Sequence, residues 1–191
     1  MTDRQEPDAQ GAAASTTAPP IEIVPYDPSW PALFEAERLL LEAVLAPWLA
    51  GPIEHVGSTA VAGLAAKPVI DIMAPVVTLE SSRPAIAAVA VLGYGHFPYR
   101  AETMHWLCKP SPLVRTHHLH RVPLGSELWL HRLAFRDALR NDTALAAAYA
   151  ALKRQLAERF GADRDGYTDA KTPFIHRALR GRASGNPVDD G

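Results

Sequence analysis

The stretch Pro68-Val69-Ile70-Asp71-Ile72-Met73-Ala74-Pro75-Val76-Val77 constrains this chain more than any other. A continuous apolar run rich in β-branched residues reads as a strand buried on both faces, and so as the centre of a sheet. Asp71 interrupts it. A lone carboxylate in such a strand costs several kcal/mol or shifts its pKa, unless a cation or a ring of donors stands beside it.

The remaining pattern places strands before helices. Tyr26-Asp27-Pro28-Ser29-Trp30-Pro31 is a turn feeding a helix, with Ser29 as its N-cap. Trp30, Leu33, Phe34, Leu41, Val44, Leu45 and Trp48 then recur as one apolar stripe. Residues 53–56 form a short extended piece, and residues 82–92 a helix ended by Gly93. Candidate strands lie at residues 94–100, 103–109 and 115–122. Helices follow over 127–140 and 143–160, and a final short one starts at Thr172-Pro173. This order predicts an α/β (α+β) fold, a mixed sheet with flanking helices and a C-terminal helical group. The 191 residues suit one domain, and a 48% hydrophobic content supports a core. Residues 1–20, with little to bury, are expected to be a disordered arm; residues 21–180 form the folded domain, and residues 181–191 a loose tail.

Charge excludes broad classes. Nineteen Lys and Arg stand against 21 Asp and Glu, so no general attraction to nucleic acid or membrane is expected, and an anionic ligand needs a local cluster of cations. With no apolar leader and no membrane-length run, a cytoplasmic address is the default. Cys108 is the single cysteine, which rules out an internal disulfide and a thiolate zinc cage. Its apolar setting suits a small core residue rather than a nucleophile.

Gly57-Ser58-Thr59 precedes the central strand. Glycine permits close approach of a ligand, while hydroxyls and free N–H groups favour an anion. A phosphate-holding turn followed by a strand carboxylate able to hold Mg²⁺ is the equipment of phosphoryl or nucleotidyl transfer. The plainer alternative is a capping turn, with Asp71 accepting from backbone amides. The segment HVGSTAVAGLAAKPVIDI closely resembles the signature of the GrpB family, a branch of the nucleotidyltransferase superfamily also found fused to some dephospho-CoA kinases. The resemblance extends through His118-Leu119-His120, Phe135-Arg136-Asp137, residues 149–153 and residues 167–175, covering about residues 24–179. It implies a nucleotidyltransferase-like fold, with Asp71 as a metal ligand and Gly57, Ser58 and Thr59 around phosphates. The superfamily usually carries a second carboxylate two residues after the first; here Met73 stands on that face, and a thioether is a poor ligand for Mg²⁺.

His118 and His120 share one face of their strand. With Asp71 they suit Mn, Zn or Fe at least as well as Mg, although two satisfied structural histidines would show the same spacing. On the helix over 127–140, a rotation of about 100° per residue puts Arg132 and Arg136 in the apolar sector with Leu128, Phe135 and Leu139. An inward arginine needs an anion, either a carboxylate such as Glu102 or Asp71 or a ligand phosphate. Lys67, four residues before Asp71, could reach the same pocket, and the resemblance adds Tyr167 and Lys171.

The expected protein is a metal-dependent nucleotidyltransferase-like enzyme acting on a nucleotide and a small acceptor. Its catalytic and metal set is Asp71, His118 and His120, and its phosphate set is Gly57, Ser58, Thr59, Lys67, Arg132, Arg136 and Lys171. A non-catalytic module for a nucleotide or other phosphorylated molecule is the alternative, and a histidine-based metal-dependent phosphoester hydrolase is a third. The oligomeric state is left open.

Overall fold

Five strands form one mixed sheet in the computed structural model, which describes residues 18–183. They are β1 (Glu54–Val56), β2 (Ile70–Val76), β3 (Gly95–Phe97), β4 (His105–Pro110) and β5 (Arg115–Pro123), laid in the order β1-β2-β5-β4-β3. The central β2 and β5 run parallel, and every other adjacent pair is antiparallel. Among the described residues the α-helices are α1 (Trp30–Leu45), α2 (Pro84–Ala88), α3 (Glu127–Asn141), α4 (Thr143–Phe160), α5 (Arg164–Ala170) and α6 (Thr172–Ala183). This is the expected mixed sheet with flanking helices and a C-terminal helical group. No helix among the described residues is long and apolar enough to cross a membrane.

Strand alternation divides the molecule into two layers. Ile70, Ile72, Ala74, Leu107 and Leu119 face α1 and pack on Trp30, Phe34, Leu41 and Leu45. Met73, Trp106, Cys108 and Val122 face the other way and meet Trp129 of α3. Asp71, His118 and His120 belong to this second face. Apolar burial on both faces, worth about 25 cal/mol per Å², stabilises the sheet behind them. Cys108 is fully buried, and burial pushes its thiol pKa up, as a core cysteine requires.

Several local expectations are corrected. Ser29 makes no side-chain cap; instead Asp27 Oδ1 accepts from the Ser29 amide at 2.8 Å, and the Asx turn launches α1. Leu33 is 47% exposed, while Glu37 lies on the buried stripe, paired with Lys109 of β4 at 2.6 Å. The segment over 82–92 is the short α2 followed by a 3-10 turn at Val89–Leu92, ended by Gly93 in the left-handed region. Helix α5 has no counterpart in the sequence reading; Asp163 caps it by accepting from the Gly166 amide at 3.0 Å. Helix α6 runs to Ala183, into the stretch expected to be a tail, and residues 1–17 of the expected arm and 184–191 of the tail lie outside the described residues.

Candidate functional site

The Gly-Ser bend and the strand carboxylate converge. Antiparallel register sets Val56 of β1 opposite Asp71 of β2, so the bend after Val56 folds over the carboxylate. Gly57 has φ 72°, and a Cβ there would lie 2.9 Å from the Asp71 Cβ and 3.0 Å from its Cγ. Glycine is needed on both grounds, conformation and space. Ser58, half-buried, then begins a 3-10 turn and faces the same cavity. Thr59 departs from the expected phosphate role. Its buried hydroxyl donates to the Val69 carbonyl at 3.2 Å and lies 3.1 Å from His55 Nε2, which ties the bend to the sheet.

Parallel register places His118 level with Asp71, and His120 level with Met73. Asp71 Oδ1 lies 2.8 Å from His118 Nδ1 and 3.4 Å from His120 Nε2. One ligand atom from each of the three residues falls within 4.8 Å of the others. Burial alone would raise the Asp71 pKa, but hydrogen bonds and charge from His118 and His120 outweigh it and hold the carboxyl well below the usual carboxylate range. Burial, followed by the nearby Arg132 charge, pushes His120 down to about 3 against the pull of Asp71. The state these directions support is an ionised carboxylate beside a neutral His120. Met73 is fully buried in the apolar cluster with Trp106 and Trp129, so a thioether and not a second carboxylate fills that position.

The two inward arginines part company. Arg136 is engaged with the protein: its guanidinium pairs with Glu54 at 2.6 Å and Asp137 at 2.8 Å and donates to the His55 carbonyl at 3.1 Å. The partner is Glu54 rather than Glu102 or Asp71, and the phosphate role expected of Arg136 is taken up by this internal pairing. Arg132 lines the cavity and has no hydrogen-bond or ion-pair partner among the described residues. Burial lowers its pKa while Asp71 opposes that shift, as befits a cation facing the carboxylate across open space.

Lys67 and Lys171 hold their ammonium groups 4.7 and 4.5 Å from the centroid of the buried Tyr167 ring. Burial, with Lys67 next, pushes Lys171 down to about 7. Lys153 was not singled out from the sequence, although it continues the stripe of Tyr149 and Leu152. It is 2% exposed and donates to the Ala65 carbonyl at 2.5 Å. Arg140, also missed, donates twice to the Ala60 carbonyl at 3.0 and 2.8 Å. With Arg136 on the His55 carbonyl, three cations of α3 and α4 hold backbone carbonyls before the bend, at its end and in the segment that follows it. Lys67, Arg136, Lys153, Tyr167 and Lys171 border a cavity of about 1030 Å³ between the sheet and the helical group, and Arg140 does not.

Fold and site together define a mixed α/β domain whose carboxylate–imidazole cluster opens into a cation-lined cavity. Residues 20–181 match the family described as GrpB protein. A UPF0157 protein of Pseudomonas aeruginosa is 41% identical over 168 residues, covering 85% of this chain and 67% of that relative. The crystal structure of conserved protein GrpB from Enterococcus faecalis matches with a TM-score of 0.76 at 32% identity, covering 85% of this chain and 98% of that one. A dephospho-CoA kinase of Mycolicibacterium paratuberculosis is 28% identical over 187 residues, covering 84% of this chain and 46% of its own length. The chain belongs to the GrpB family.

Proposed function

We propose that this GrpB protein is a metal-dependent nucleotidyltransferase-like enzyme that passes a nucleotidyl group to a hydroxyl or amine of a small acceptor. The observation that carries the reading is the convergence of Asp71, His118 and His120 beneath the Gly57-Ser58 bend, in a cavity whose walls carry more cations than carboxylates. The donor set fits a divalent cation: one ionised carboxylate and two imidazole nitrogens lie within 4.8 Å, and this mixture suits Mn²⁺ or Zn²⁺ better than Mg²⁺. The buried His118 Nε2 and His120 Nδ1 have no hydrogen-bond partner among the described residues, so the outer shell that usually orients such ligands is thin. A cation bound there would offset charge on the phosphate oxygens. The Gly57-Ser58 bend, Arg132, Lys67 and Lys171 would hold the phosphates. In the transfer, the acceptor oxygen or nitrogen bonds to the α-phosphorus, the bond to pyrophosphate breaks, and the acceptor proton leaves to solvent.

A second reading, a binding module that holds a nucleotide without turning it over, is favoured by one observation: Met73, fully buried in place of a second carboxylate. Calorimetric titration of nucleoside triphosphates with Mn²⁺, alongside measured pyrophosphate release over a panel of acceptors, separates the two. Release that disappears in Asp71→Asn supports the enzyme. Tight binding with no release supports the module, and no binding by either route removes both.

A further inference from the structure

A second guanidinium in the same cavity is set as a fork. Arg115, at the start of β5, donates from Nε to the Pro112 carbonyl at 2.8 Å, and its guanidinium carbon lies 4.9 Å from the centroid of the Trp106 ring. The hydrogen bond and the ring fix the plane of the group. Its two terminal amino groups have no hydrogen-bond or ion-pair partner among the described residues, and the side chain lines the cavity.

Alternation along β5 would aim Arg115 at the opposite face of the sheet, with Leu119. The register with β4 explains why it does not: Lys109 is level with His117, but the neighbouring Pro110 is level with Arg115, so Thr116 is the extra residue of a bulge. A bulge reverses the facing of what lies beyond it. Arg115 is thereby brought onto the Trp106 side, which is also the side of His118.

The surroundings are cationic and unpaired. Arg164 of α5 donates to the same Pro112 carbonyl and to the Leu113 carbonyl, each at 2.8 Å, bracing the loop that carries Arg115. Burial lowers the Arg164 pKa, with Arg115 next; burial also lowers Lys67 against the pull of Asp71, and the two guanidiniums add to it. Arg38, by contrast, is paired with both Glu35 and Glu42. Here no ion pair forms among the described residues. Measured against β4, the bulge leaves Arg115 only two positions from His118, about 7 Å along the strand, and the Trp106 ring that carries the guanidinium stands 5.2 Å from the His118 ring. The guanidinium makes no ion pair with Asp71, whose partners are His118 and His120, so its fork is a point of capture separate from the cluster.

We propose that Arg115, backed by Arg164 and Lys67, binds a second phosphoryl group of the substrate, separate from the reacting phosphorus. The site deepens the nucleotidyltransferase reading, on which its orientation rests. The group is either the far end of the nucleotide's own polyphosphate chain or a phosphate carried by the acceptor, and the chemistry of capture, a planar fork on a dianion, is the same in both.

The test titrates the full chain, Arg115→Met and Arg115→Lys with inorganic tripolyphosphate and with orthophosphate in the presence of EDTA, and with Mn²⁺ separately. In Arg115→Met, tripolyphosphate affinity falls at least tenfold, Arg115→Lys recovers part of it, and melting temperature and Mn²⁺ affinity hold. Loss confined to tripolyphosphate assigns the nucleotide chain; an equal loss for orthophosphate assigns a separate phosphate pocket for the acceptor. Unchanged affinity for both anions in the folded methionine variant, or no anion binding by the parent chain, overturns the proposal. Failure of Mn²⁺ alone to bind removes the metal-dependent reading and leaves this site standing.

Discussion

Gly57 lies so close against Asp71 that a single added carbon would sit 2.9 Å from the aspartate Cβ. The bend and the carboxylate are therefore one construction, in which neither can shift without the other. Gly57→Ala adds that carbon and also leaves a side chain at φ 72°. The expected outcome is a loss of about 1–3 kcal/mol by urea unfolding, with Mn²⁺ binding weakened because the carboxylate is pushed from its imidazoles.

Arg132 and Arg136 lie one helical turn apart and should fail in opposite ways. Arg136→Met strands Glu54 and is expected to lower stability by about 1–3 kcal/mol, with phosphate affinity close to that of the parent. Arg132→Met removes a cation with no partner among the described residues. Melting temperature should hold or rise while affinity for tripolyphosphate drops by about 1.5–3 kcal/mol, the scale of a charged hydrogen bond.

Anion binding should depend on pH through Lys171. Burial, then Lys67, depresses its pKa from 10.5 to about 7, so above that value the empty site carries a neutral amine. A bound phosphate restores the charge, and binding therefore takes up a proton. Affinity is greatest below pH 7 and should fall at least tenfold by pH 8.5, since one coupled proton is worth up to about 1.4 kcal/mol per unit. Calorimetry across that range checks it, and Lys171→Met should flatten most of the slope.

Stability should depend on pH through His55, which stacks on Phe34 at 4.5 Å. Burial pushes its pKa from 6.5 to about 4, so the unfolded chain takes up a proton first as the solution is acidified. The contribution is complete above pH 6.5 and is lost as pH falls toward 4, at a slope of up to about 1.4 kcal/mol per unit. Urea unfolding at pH 5 and pH 8 measures it. His55→Gln should be less stable at pH 8 yet lose less between the two.

The parts of the site legible in the sequence are those governed by strand periodicity. Asp71 in an apolar run, and His118 and His120 two residues apart, were bound to share a face, and register then brought them together. Helical rotation placed Arg132 and Arg136 inward but carried no information about which would meet a carboxylate, because Glu54 lies on a strand far away in sequence. Arg115 was hidden for a sharper reason: the bulge at Thr116 reverses the alternation that would have to be trusted to find it. Thr59 was misassigned because a hydroxyl beside a Gly-Ser pair looks the same whether it faces a ligand or the Val69 carbonyl. Helix α5 was missed for want of an apolar stripe; it rests on its Asp163 cap and on one buried residue, Tyr167.

The parallel pairing of β2 with β5 has a consequence for how the protein comes into being. The carboxylate and its two imidazoles are separated by 47 and 49 residues of chain, and the intervening segment must fold back to lay β5 against β2 before they can meet. Contacts of such long separation form slowly relative to local ones. Until β5 has been made and laid against β2, Asp71 has neither imidazole beside it, so the cluster is completed only with the central strand pair.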